Sequence, residues 1–189
     1  MNPDVQRELI PRDDTLHLIA ALDDIKAKLL DAAQQWQLLD GTGHVPTTPS
    51  YAELIQHAAD AQALSRSVVQ LTADFARTDH STNRVGSTVL AHLSTAATMS
   101  SLAAPHFAET AETALSLRRP SGPTDRQNQE YRMVIDHATA RAYLRRTSES
   151  LRDAAKELNN HLDIHRFFPT PAYRKSPAPP PPKPSTRHR

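Results

Sequence analysis

The chain holds ten histidines. His161 and His165 stand four apart, a spacing that places two imidazoles on one helix face and lets them share a metal. The rest of a metal site is missing from the sequence around them. There is no His-Glu-x-x-His motif and no Glu-x-x-His pair, and carboxylate-bridged metal sites in helical proteins are built from such pairs. Asp163 lies between the two histidines but on another face. The pair reads as a helix end whose imidazoles sit against the negative end of the helix dipole. No metal ligands and no cofactor are assigned.

Other catalytic patterns fail on geometry. With no cysteine in the chain, a thiolate nucleophile, a thiolate metal site and a disulfide are all excluded. Gly41-x-Gly43 lacks a third glycine, a following Lys-Ser or Lys-Thr and a preceding strand, so it cannot cradle phosphate. No Gly-x-Ser-x-Gly elbow marks a nucleophilic serine. Asp13-Asp14 and Asp23-Asp24 are adjacent carboxylates, and neighbours in sequence do not share a helix face. No catalytic residues are assigned, and the chain is read as a non-enzyme.

Charge offers two candidate contact segments. The first is an arginine series, Arg118, Arg119, Arg126, Arg132, Arg141, Arg145, Arg146 and Arg152, set among only four acids. Arg141 and Arg145 are one turn apart, and Arg145 and Arg152 two turns. Arg132, Arg141, Arg145, Arg146 and Arg152 are therefore the candidate phosphate or partner contacts. The competing expectation is that this ridge faces the acidic exterior of the first helix at Asp23, Asp24 and Asp31. The second segment is the C-terminal tail. From Pro169 onward lie five of the 22 basic residues and none of the 21 acids, leaving the body near −4 and the tail near +5. Its proline run favours an extended polyproline conformation. Pro179-x-x-Pro182 and Pro181-x-x-Pro184, with Lys183 beside them, have the spacing of groove-binding ligands, so Pro179, Pro182, Lys183 and Pro184 are candidate recognition residues.

The elements that would position these residues are helical. Leu18, Leu22, Ile25, Leu29, Ala32, Trp36 and Leu39 alternate spacings of four and three, a coiled-coil-like seam in a helix expected over 14–40. Gly41 is expected in the left-handed conformation that stops it. Ser50 and Glu53 form a capping box opening a second helix over 50–78, with Leu54, Ala58, Ala61, Leu64, Val68, Leu71 and Phe75 as its stripe. A third helix over 83–118 carries Val85, Val89, Leu93, Ala96, Met99 and Ala103, is rich in serine and threonine, and should kink or break at Pro105. Phe107, Ala111 and Leu115 continue it. After Pro120-Ser121-Gly122-Pro123, Thr124 and Gln127 open a fourth helix over 125–165. Tyr131, Ile135, Ala138 and Ala142 begin its stripe, and Leu144, Leu151, Ala155, Leu158 and Leu162 continue it on a shifted register.

Four long helices and no period-two segment predict an all-α fold, an antiparallel four-helix bundle over 13–168. A flexible N-terminus over 1–12 and a disordered basic proline-rich tail over 169–189 flank it. The interior must be built from aliphatics and alanine, since aromatics are 5% of the chain and alanines number 27. No run reaches the roughly 18–20 apolar residues of a membrane span, and the polar N-terminus has no secretion-signal pattern. These readings point to a cytoplasmic location with no membrane partner. Trp36 is followed by Gln37-Leu38 rather than a glycine turn, which removes the short helical-hairpin secretion substrates from consideration. The leading expectation is a non-catalytic protein that binds another protein or itself through a helical face. The alternative is a nucleic-acid-associated accessory protein that contacts phosphates through the arginine series and the tail.

Overall fold

The computed structural model describes residues 10–119 and 122–167. The expected tail, with Pro179, Pro182, Lys183 and Pro184, lies outside the described residues, as do the first nine residues of the N-terminus. Among the described residues the fold is all-helical: α1 (Arg12–Gln35), α2 (Tyr51–Ala76), α3 (Arg84–Ser116) and α4 (Pro123–Phe167), with a 3-10 turn at Asp79–Thr82 before α3. No helix of the described chain is long and apolar enough to cross a membrane.

α4 is the spine of the fold. It packs along α3 and along α1, and α2 packs on α3, while α1 and α2 barely meet. Side chains and backbone tie the pairs at defined levels. The Ile10 N–H, just before α1, donates to His161 Nε2 near the end of α4 (3.1 Å), whereas Ala33 near the end of α1 meets Arg141. Ser65 and Ser100 share a buried hydrogen bond between α2 and α3 (3.1 Å), and Thr72 reaches the Leu93 carbonyl further along the same pair.

Apolar spacing explains most of the core. Leu22, Ile25, Leu29 and Ala32 of α1 are buried, as are Leu54, Ala58, Ala61, Val68 and Phe75 of α2 and Val89, Leu93, Ala96, Ala103, Phe107 and Ala111 of α3. A second, smaller cluster joins Leu38 and Leu54 to Ala111, Ala114, Leu117 and Met133. The many hydroxyls of α3 do not unwind it because they bond within the helix. Thr110 donates to the His106 carbonyl and Thr113 to the Glu109 carbonyl, so the two buried hydroxyls are satisfied four residues back.

Several expectations are corrected. α1 ends at Gln35 rather than near Asp40, with Trp36 extended at its C-cap. Arg141 Nε donates to the Ala33 carbonyl (2.7 Å), supplying the donor that the Gln37 N–H would provide in a longer helix. Leu39 is consequently exposed and Leu38 is buried instead. Gly41 is not the left-handed stop. The positive φ, 83°, belongs to Gly43, well past the helix end, in a loop where the Asp40 carboxylate accepts from the N–H groups of Thr42 and His44 and from the Thr42 hydroxyl. These bonds, that of the Thr42 side chain first, hold the Asp40 carboxyl below its ordinary range.

α3 runs unbroken through Pro105. The proline is exposed, as is Ser101, so the carbonyl that loses its intrahelical donor is on a residue facing water. α4 begins at Pro123, where the missing N–H is no loss, and the Gly122 carbonyl accepts from the Arg126 N–H. Thr124 is therefore inside the helix and does not cap it.

The largest correction concerns the first half of α4. Tyr131, Ile135, Ala138 and Ala142 are all exposed, and the buried face is Met133, His137, Ala140 and Leu144. A histidine on the inner face hides the pattern, because a polar letter breaks the apolar count. Leu144 then continues directly to Thr147, Ser148, Leu151, Ala154 and Leu158, so the core face keeps one register.

Candidate functional site

Four rings meet inside the fold, one from each helix or its end. The Trp36 indole stacks on His57 of α2 with centroids 4.9 Å apart and planes at 10°. Phe107 of α3 stands edge-on to Trp36 (5.2 Å) and to His137 of α4 (5.3 Å). His57 and His137 have centroids 6.4 Å apart. His57 Nδ1 and His137 Nε2 are buried and have no hydrogen-bond partner among the described residues. Burial lowers both pKa values, and that of His137 falls to about 4, with the charges of Arg141 and His57 adding to the effect. Neutral imidazoles in a ring cluster pack as flat, weakly polar aromatics. Asp60 and Glu53 act on His57 through their charge, but among the described residues no carboxylate hydrogen-bonds either imidazole to form a proton relay, and we read the cluster as structural.

Two histidines have defined places elsewhere. His161 is buried and accepts the Ile10 N–H, which gives it an anchoring role at the start of α1. His106 of α3 faces two carboxylates. Its Nδ1 lies 3.2 Å from Glu109 Oε2, one turn on, and 3.7 Å from Asp136 Oδ1 of α4. The sequence signal for this pair is the reversed order, His106-x-x-Glu109, which a Glu-x-x-His pattern does not include. Asp136 could be added only by knowing how α3 and α4 align.

The arginine series is dispersed by its environment. Arg141 is committed to the end of α1, bonding the Ala33 carbonyl and the Gln37 side chain. Burial lowers its pKa, with the charge of Arg145 second. Arg132 approaches Asp136 (3.6 Å) and Arg152 bonds Asp153. Arg145 and Arg146 are exposed. Among the described residues no ion pair joins the series to the acids of α1. Asp23 and Asp24 pair with Lys26 and Lys28, and Asp31 accepts from Gln35, all within α1.

An open groove of about 1320 Å³ runs along α2 and α3. It contains no histidine and a single carboxylate, Asp74, so it brings no catalytic set together. The outer face of α4 is more distinctive. Tyr131 is 60% exposed and Ile135 64%, the two most exposed large apolar residues described. Ala138 and Ala142 continue the same face with spacings of four, three and four. Single exposed apolar residues are ordinary, but four in a helical row are a surface feature. Comparison with protein-family models, with curated proteins and with solved structures finds no match to this chain.

Proposed function

We propose that this protein is a non-catalytic, antiparallel four-helix bundle that self-associates through the outer face of α4. The observation that carries this reading is the exposed row Tyr131, Ile135, Ala138 and Ala142. Its 4-3-4 spacing is that of a coiled-coil seam, and the other three helices leave it uncovered.

The order of sizes along the row favours a second copy as the occupant. Two copies of α4 crossing head to tail about a two-fold axis between Ile135 and Ala138 would set Ile135 against Ala138 and Tyr131 against Ala142. Each level then places a large residue opposite a small one, which lets two helices approach closely. The same arrangement places Arg145 opposite Asn128 and Arg146 opposite Gln127, while Arg132 falls opposite Arg141, whose guanidinium is turned to the Ala33 carbonyl of its own chain. A cysteine-free chain acting in the cytoplasm is part of this reading.

Sedimentation over a concentration series tests it. Self-association gives a mass above 20.9 kDa that falls on dilution, and Ile135→Glu restores the monomer without loss of helix. A monomer at every concentration, or an Ile135→Glu variant that associates like the parent, refutes the proposal. Phosphate contact through α4 and the tail is the second reading. Among the five candidate arginines of α4 its support narrows to Arg145 and Arg146, the two that are exposed without a described partner. Salt-sensitive binding to a labelled duplex, lost on Arg145→Ala with Arg146→Ala, would favour it.

A further inference from the structure

We propose that His106, Glu109 and Asp136 form a binding site for a divalent first-row metal ion of the zinc type, bridging α3 and α4. Each offers one donor, an imidazole nitrogen or a carboxylate oxygen, and the three donor atoms lie within 4.8 Å of one another. Zinc bound tetrahedrally at about 2.0–2.1 Å separates its ligand atoms by about 3.3 Å. The His106–Glu109 distance of 3.2 Å matches that already, and the His106–Asp136 distance of 3.7 Å needs a small closure.

Three further observations distinguish the cluster from a surface ion pair. Asp136 Oδ2 is buried and has no hydrogen-bond partner among the described residues, with Arg132 Nε standing off at 3.6 Å. Oδ2 belongs to the same carboxylate as Oδ1, the oxygen nearest His106, so the group keeps lone pairs that no hydrogen bond uses. The Tyr143 ring stacks on the His106 imidazole, with centroids 5.7 Å apart and planes at 13°, which fixes the ring's direction. The third is depth. Asp136 lies on the inner side, 14% exposed, while Glu109 lies on the outer side, 45% exposed. An ion can therefore enter from solvent past Glu109, and water can occupy the fourth position. One imidazole and two carboxylates form a mixed nitrogen and oxygen set suited to zinc or manganese rather than to copper(I).

Titration calorimetry of the full chain with Zn²⁺ tests the proposal. Saturable binding at one ion per chain is expected. It should weaken about tenfold or more in both His106→Ala and Glu109→Gln, and stay within about twofold in His44→Ala, which removes an exposed loop imidazole. Glu109→Gln keeps the side chain's shape, so the test survives if His106→Ala disturbs packing. Absence of saturable binding overturns the site. So does binding that neither variant weakens, or that His44→Ala weakens as much as the other two.

Discussion

Arg141 Nε donates to the backbone carbonyl of Ala33 across 2.7 Å, so a cation on α4 terminates α1. α1 has no basic residue in its own last turn, and Arg141 supplies the positive charge that its C-terminal carbonyls favour. Arg141→Met keeps the apolar stem and removes the donors. It should destabilise the fold by about 1.5–3 kcal/mol, the range for hydrogen bonds from a charged group. Arg145→Met, one turn away and exposed, should change stability by no more than about 0.5 kcal/mol. Urea unfolding of the two variants side by side is the check, and equal effects would remove the capping role.

The register of α4 can be measured with two substitutions. Leu144 is fully buried, so Leu144→Ala should cost about 2–5 kcal/mol. Ile135→Ala should leave the stability of the monomer within about 0.5 kcal/mol, despite deleting as much hydrocarbon. The opposite ranking in dilute solution would restore the face expected from apolar counting alone.

Gly86 sits where α3 passes under the 3-10 turn. A methyl group there would collide with the backbone carbonyl of His80, and backbone cannot swing aside as a side chain can. Asn83 caps α3 by accepting the Gly86 N–H (2.7 Å), so the turn and the cap are built around that close approach. Gly86→Ala should destabilise by about 1–3 kcal/mol through overpacking, although alanine is the better helix former. A stabilising result from thermal unfolding would show that the turn moves freely.

His137 gives the fold an acid-sensitive stability. Its pKa is about 4 in the folded chain against an ordinary 6.5. Between those values the unfolded chain binds a proton that the folded chain does not. The contribution is therefore complete above pH 6.5 and is lost as pH falls toward 4, at no more than about 1.4 kcal/mol per pH unit for one proton. His57 shifts in the same direction. Unfolding free energies measured between pH 7 and 4.5 should fall less steeply in His137→Leu than in the parent. An unchanged slope would mean that the proton is taken up elsewhere.

Helix existence was legible in the sequence because aliphatic spacing is regular in α1, α2 and α3, and Ser50 does accept the Glu53 N–H as the capping pattern indicated. The inner face of the first half of α4 was not legible. His137 belongs to the core by virtue of its ring contacts, and Tyr131 and Ile135 mimic a core stripe from outside. The end of α1 was hidden for a different reason. It is set by Arg141, 108 residues away in sequence, and no local signal records that. The His106, Glu109 and Asp136 cluster required the alignment of two helices, a tertiary fact that spacing along one helix does not contain.

Trp36 is the chain's single tryptophan, and it stands at the junction where side chains of α2, α3 and α4 converge. The protein thereby carries its own optical reporter. Indole emission depends on the polarity around the ring and is quenched by a protonated imidazole stacked on it. Parting of α2 or α3 from this junction would admit water to the ring and shift its colour, while proton uptake by His57 would dim it with the helices still closed. One unlabelled chromophore thus separates two kinds of event, loss of packing and change of charge, that helix content alone does not distinguish.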